Sequence, residues 1–168
     1  VCILVENIPG VDPTVFKHNG RWWLICTLKN KGTGLNLYLW HATALFGPWI
    51  PHVGNPVKTD CRSSRPGGTP FNYKGHLYRP AQDYSFEGEW RLAINRITRL
   101  TPTEFSEETV KIINPIPKTP FRHGVHNLSK INSLTLIDGK RHVFTLRKIT
   151  AKIARLLNRG IPINWLRR

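Results

Sequence analysis

The chain has 168 residues, with 25 Lys and Arg against 10 Asp and Glu, a formal net charge of +15, and no Met. Hydrophobic residues at 40%, with six Trp and seven Phe, are enough to build a core, which excludes a disordered polyelectrolyte. No apolar run reaches the roughly 18 residues of a membrane span, and the three scattered cysteines, Cys2, Cys26 and Cys61, form no disulfide framework and match no zinc spacing.

In chain order the first element is a hairpin, PTVFKHNGRWWLICT (13–27), turning at Asn19-Gly20. Asn-Gly is a strong two-residue turn signal because both positions need positive φ. LNLYLWHAT (35–43) follows as an alternating strand, and FGPWIPH (46–52) as a short outer strand. The second hairpin, TPFNYKGHLYRPAQD (69–83), turns at Lys74-Gly75. EWRLAINRITRL (89–100) alternates again, and EFSEETVKII (104–113) reads as another outer strand. A third hairpin, INSLTLIDGKRHVFTLRK (131–148), is expected to turn at Asp138-Gly139. Trp22, Trp23, Trp40 and Trp49 fall where strand packing wants bulk, and are read chiefly as core.

The chain closes in a cationic tail. No acidic residue follows Asp138, whereas nine of the basic residues lie from Lys140 onward, and the remainder holds 16 basic against 10 acidic residues. Ile149, Ile153 and Leu156 recur at helical spacing beside Lys148, Lys152, Arg155 and Arg159, so residues 148–168 are expected to carry a basic amphipathic helix. Two readings stay open: a terminal helix packed by its apolar face, or a weak contact with anionic lipid. A nucleic-acid role ranks last, since the charge sits in a tail and no nucleic-acid motif accompanies it. No charged leader opens the chain, which favours a cytoplasmic location as an expectation.

One hairpin plus two further strands, found twice and begun a third time, is the arithmetic of four-stranded propeller blades. The predicted fold is therefore all-β: a β-propeller represented by its last two to three blades, around 10–60, 61–115 and 120–147. Open sheet edges at both ends and the missing Met lead to the expectation that further blades precede Val1.

The residues also carry a family resemblance. The Asp-Pro-Thr step, GRWWL, Gly47-Pro48-Trp49, Asn55-Pro56, SRPGG (64–68), LYRPAQD (77–83), NRITRLTPTEF (95–105) and HGVHNLS (123–129) resemble the N-terminal domain of the glucosamine inositolphosphorylceramide transferase family. That domain is itself similar to the five-bladed propellers of glycoside hydrolase families 43 and 32. The resemblance implies a carbohydrate- or nucleotide-sugar-linked accessory domain, a glycan or sugar-phosphate ligand and a fused or associated transferase domain. It also places Asp12 where the hydrolases carry a general acid, its partner carboxylates coming from upstream blades. The competing reading of Asp12 is a turn residue whose side chain caps local backbone.

Four further places carry candidate chemistry. Arg79, Gln82 and Asp83 put charge on an otherwise apolar strand, expected to line a polar channel as a sugar or phosphate clamp, or to form a structural Arg–Asp pair. Arg62 and Arg65 stand in CRSSRPGG (61–68), read as an anion-holding loop or a flexible connection. His123 and His126 are read as hydrogen-bonding ligand contacts, because two His without a nearby Cys or carboxylate are a weak metal signal. Cys61 and Ser63 lack a base arrangement and sit on no nucleophile elbow. No metal and no cofactor are expected.

Overall fold

The computed structural model describes residues 3–85 and 90–143, and all regular structure among them is antiparallel β-sheet. The expected basic helix of 148–168 lies outside the described residues.

Local turn chemistry sets the first hairpin. Asn19 and Gly20 take φ of 48° and 76°, turning β1 (Gly10–His18) into β2 (Arg21–Leu28) with His18 opposite Arg21. β3 (Asn36–Ala42) lies against β2, and two short strands, β4 (Ile50–Pro51) and β5 (Lys58–Thr59), pair with opposite ends of β3. Asn55 bridges the gap between them. Its side-chain oxygen accepts the Leu39 N–H at 2.8 Å, and its amide nitrogen donates to the Leu39 carbonyl at 2.7 Å. A side-chain amide thus stands in for a strand residue beside β3, which satisfies backbone groups that Pro56 could not.

The second sheet repeats the scheme. Lys74 and Gly75, with φ of 47° and 78°, join β6 (Phe71–Tyr73) to β7 (His76–Asp83), and β8 (Arg91–Leu100) and β9 (Phe105–Ile113) complete the order β6-β7-β8-β9.

The third hairpin departs from expectation. β10 (Leu128–Ile131) pairs with β11 (Leu134–Ile137) around Asn132, whose φ is 54°; Asp138-Gly139 follows the hairpin rather than turning it. The reason is the Asp138 side chain. Its Oδ1 accepts the backbone N–H groups of His126 and Asn127, each at 2.7 Å, so it holds down the entry to β10. The end of the expected return strand, 144–147, lies outside the described residues.

Period-2 alternation explains the packing. On sheet one, Phe16, Trp23, Ile25, Leu37 and Leu39 form one face, which buries against Leu77, Ile97, Leu100 and Phe105 of sheet two. Leu24, Cys26, Tyr38 and Trp40 form the other face, covered by Leu4, Val5, Ile8 and Trp49. A third cluster, Leu92, Ile94, Val125 and Leu128, joins sheet two to the segment that leads into β10. Of the four tryptophans read as core, Trp23 and Trp40 are buried, while Trp22 and Trp49 are half-buried.

The connection between the sheets is packed, which corrects both readings of CRSSRPGG. Ser63 and Ser64 have no exposure. Asp60 binds this stretch through the Arg62 N–H, the Arg62 Nε and the Ser63 hydroxyl, at 3.0, 3.0 and 3.1 Å. Gly67 and Gly68 are squeezed between Ala81 and Leu92 on one side and Leu128 on the other, and a Cβ on Gly68 would lie 1.8 Å from the Leu128 carbonyl oxygen. A segment with its backbone bonded on both flanks is neither a flexible linker nor a loop of free N–H groups for an anion.

Candidate functional site

The seam between the two sheets gathers polar side chains. β1 carries a register shift between Val11 and Thr14, and Asp12 sits in this bulge with φ of 51°. Bulges re-aim side chains out of the ladder. Here the bulge turns Asp12 toward sheet two, where its Oδ2 accepts from Arg65 Nε at 2.6 Å and from Gln82 Nε2 at 3.1 Å.

The rest of the site closes around that carboxylate. The Gln82 amide also donates to the Pro66 carbonyl at 2.8 Å, and its Oε1 accepts the Tyr84 hydroxyl at 2.7 Å. The Arg65 guanidinium stacks over the Tyr84 ring, 5.2 Å from its centroid. Backbone bonds hold the frame, with Gln82 N–H donating to Arg65 O at 2.8 Å and Tyr84 N–H to Cys61 O at 3.0 Å. Burial pushes the Tyr84 hydroxyl pKa up, with Arg65 opposing and Asp12 adding to the rise, so the phenol remains a neutral donor. The side chains of Arg65 and Asp12 keep 20% and 35% of their exposure, so the cluster is reachable from solvent. An aromatic face beside an amide, a carboxylate and a guanidinium suits a polyhydroxylated ligand, because it offers an apolar surface with donors and acceptors at its rim.

The structure therefore unites Asp12, Arg65 and Gln82, and adds Tyr84, which immediately follows the polar triplet of LYRPAQD. It does not bring in Arg79 and Asp83. Arg79 was expected on a channel-lining strand. Instead β7 lies inside its sheet, and the Arg79 side chain has no exposure. The guanidinium donates to Glu107 through Nε at 2.9 Å and Nη2 at 2.5 Å, and to the carbonyl of Ser63 at 2.5 Å. Lys58 of β5 donates to the same carboxylate at 2.7 Å. Burial alone would raise the Glu107 pKa; Arg79 and Lys58 together hold it below its ordinary value. With its donors spent inside the protein, Arg79 is a strut between sheets and not a ligand clamp. Asp83 pairs with Arg91 at 2.6 Å, and its other oxygen accepts from the Ser85 backbone and hydroxyl, so the expected Arg79–Asp83 pair does not form. Glu107 was missed because EFSEETVKII contains three glutamates that differ only in burial.

His123 and His126 lie apart from the seam and have different partners. His123 faces His142, with ring centroids 4.3 Å apart, whereas His126 sits 5.0 Å from the Trp90 ring and 3.6 Å from Asp138. Among the described residues no group of three or more His, Cys, Asp or Glu side chains is placed to hold a metal.

Antiparallel sheets stacked through apolar faces, with a polar aromatic cluster at their seam, define an all-β domain. The family described as glucosamine inositolphosphorylceramide transferase 1, N-terminal, matches residues 2–124, and the chain belongs to this family. Curated relatives called glucosamine inositolphosphorylceramide transferase 1 are 32% identical over 115 residues in Oryza sativa subsp. japonica and 35% identical over 108 residues in Arabidopsis thaliana. The matches cover 66% and 61% of this chain, but only 15% and 14% of those relatives. Among solved structures, a thermostable family-43 glycoside hydrolase is similar with a TM-score of 0.48 at 20% identity, over 66% of this chain and 39% of that one. A family 117 glycoside hydrolase from Zobellia galactanivorans is similar with a TM-score of 0.42 at 15% identity, over 79% and 44% of the two chains.

Proposed function

We propose that this chain is a carbohydrate-recognising accessory domain of a glycosyltransferase-type protein, its two larger sheets being adjacent propeller blades. The observation that carries this reading is the ring of Asp12, Arg65, Gln82 and Tyr84 at the junction of the two sheets, of which Asp12, Arg65 and Tyr84 are reachable from solvent. The names of the relatives supply the link to sugar transfer onto an inositolphosphoryl lipid, and the ring supplies the binding chemistry. A sugar would lay one face on Tyr84 and direct its hydroxyls to Asp12 and Arg65, while the buried Gln82 holds Asp12 and Tyr84 in place.

A second reading, Asp12 as a glycosidase general acid, draws on its place on a bulge directly before Pro13. The partners of Asp12 favour the first reading. They are a guanidinium and an amide, so the carboxylate is committed within this chain, and the second carboxylate that a glycosidase needs at roughly 5 to 9.5 Å would have to come from outside it.

The test is a titration of the isotope-labelled chain with glucosamine, mannose and inositol, followed by amide chemical shifts. Saturable shifts around Asp12, Arg65, Gln82 and Tyr84 that vanish in Tyr84→Ala support the reading. Absence of saturation with every sugar overturns it. Hydrolysis of aryl glycosides that is abolished by Asp12→Asn would move the assignment to the enzyme.

A further inference from the structure

Away from the seam, a single backbone contact assembles a cluster of cations. A parallel bridge joins Arg122 to Lys140. Around it the His123 N–H donates to Lys140 O at 3.2 Å, and the Lys140 N–H donates to Gly124 O at 2.8 Å. The bridge sets Arg122 and His123 of one segment beside Lys140, Arg141 and His142 of the other. Between them opens a cleft of about 610 Å³, lined by Lys118, Arg122, His123, Arg141 and His142 among others.

Two features make this more than a solvated basic surface. First, the charge is uncompensated: among the described residues no carboxylate pairs with Lys118, Arg122 or Arg141. Second, the histidine is pre-set as a donor. The His142 backbone N–H donates to His123 Nδ1 at 3.2 Å. A backbone N–H can only donate, so Nδ1 accepts and the ring proton resides on Nε2. Partial burial, then the neighbouring His142, Arg122 and Lys140, hold His123 below the ordinary histidine range, in keeping with a neutral ring amid positive charge.

We propose that this cleft binds a phosphate group, as the dianionic phosphomonoester of a small soluble ligand. Arg122 and Arg141 supply planar guanidinium forks, Lys118 adds a point charge and His123 Nε2–H adds a neutral donor. A dianion fits better than a single carboxylate because several cations without a carboxylate partner among the described residues line one cleft, and guanidinium forks match the oxygen spacing of phosphate. The site is separate from the Asp12–Tyr84 ring and does not depend on the sugar reading.

The experiment is calorimetric titration of the full chain with inorganic phosphate and with glycerol 2-phosphate at fixed ionic strength, beside sedimentation with phosphatidylcholine vesicles containing or lacking phosphatidic acid. Saturable binding of the soluble probes is expected. It should fall at least tenfold in Arg122→Ala and in Arg141→Ala, return in part in Arg122→Lys, and stay unchanged in Lys17→Ala, a cation on β1. Arg122 and Arg141 are exposed, so their variants retain the fold, which circular dichroism checks. No saturation with either soluble probe overturns the proposal, as does binding indifferent to Arg122 and Arg141. Sedimentation with anionic vesicles alone, without soluble binding, also overturns it in favour of diffuse surface attraction.

Discussion

Arg79 of β7 and Glu107 of β9 form a two-point pair across the intervening strand β8, with both side chains essentially without exposure. Lys58, from the other sheet, completes the charge balance. The pair links the strand interior of sheet two to the Ser63 and Ser64 carbonyls and to β5, so it staples the two sheets. Truncating one partner leaves the other charge buried, a change that costs about 3–5 kcal/mol. Arg79→Ala and Glu107→Ala should each lower stability by that amount in urea unfolding, whereas the apolar double variant Arg79→Met with Glu107→Leu should recover much of it. A double variant no better than the singles would count against this account.

The same pair sets a pH dependence. The Glu107 pKa lies below its ordinary value in the folded chain, so its contribution is complete above the unfolded glutamate pKa of about 4.3. Below that, the unfolded chain takes up a proton that the folded chain resists, and the contribution is lost as pH falls through the folded pKa. Glu107→Gln should flatten this acid limb of the stability profile. An unaltered acid limb in the variant would show that other carboxylates produce it.

Glycines with positive φ divide into two kinds. At Gly20 and Gly75 an added Cβ meets nothing within 4 Å, so Gly→Ala should cost only the left-handed backbone penalty, about 1–2 kcal/mol. At Gly68, with φ of 137°, the Cβ would collide with the Leu128 backbone. Gly68→Ala should therefore prevent the segment before β10 from docking on sheet two. Thermal denaturation of the three variants checks the contrast, which fails if Gly68→Ala melts with the other two.

Asn55 makes two amide–backbone bonds to Leu39, as acceptor and as donor. Asn55→Ala should cost about 1–3 kcal/mol, since it strands the Leu39 N–H, while the Leu39 carbonyl keeps the His52 N–H at 3.0 Å. Asn55→Asp should be no better, because it keeps the acceptor but sets a carboxylate oxygen against the Leu39 carbonyl. Chemical denaturation of both variants tests this; an Asp variant as stable as the parent would refute the assignment.

Cys26 has no exposure, and burial pushes its thiol pKa up to about 12. Cys61 is exposed. Iodoacetamide at mildly alkaline pH should alkylate Cys61 in the folded protein and reach Cys26 only after denaturation, because the thiolate is the reactive form. Peptide mass spectrometry reads the outcome directly, and rapid native labelling of Cys26 would contradict the packing of sheet one.

Much of the fold was legible. Asn19-Gly20 and Lys74-Gly75 marked their turns because two adjacent positive φ angles are a local requirement that few dipeptides meet. The apolar return strand RWWLICT and the alternating LNLYLWHA marked strands, and the structure buries both of them on two faces. Asp138-Gly139 has the same turn chemistry, yet its carboxylate is drawn to the His126 and Asn127 backbone, and Asn132 makes the turn instead. A side chain with two competing local uses cannot be assigned from its neighbours in sequence.

The site shows the same division. Asp12 stood out through the family resemblance, Arg65 through the Gly- and Ser-containing stretch CRSSRPGG, and Gln82 as a polar residue on an otherwise apolar strand; the resemblance rested on motifs that the chain does carry. Their assembly required the β1 bulge and the antiparallel bonds between Arg65 and Gln82, which bring residues far apart in the chain into one ring. Arg79 met the same sequence criteria and is a strut. Turn type, strand alternation and charge content follow from short-range sterics and composition, so the amino-acid order alone determines them. Whether a charged side chain meets a carboxylate or faces water depends on which strand lies two places across the sheet, and only the tertiary structure decided that.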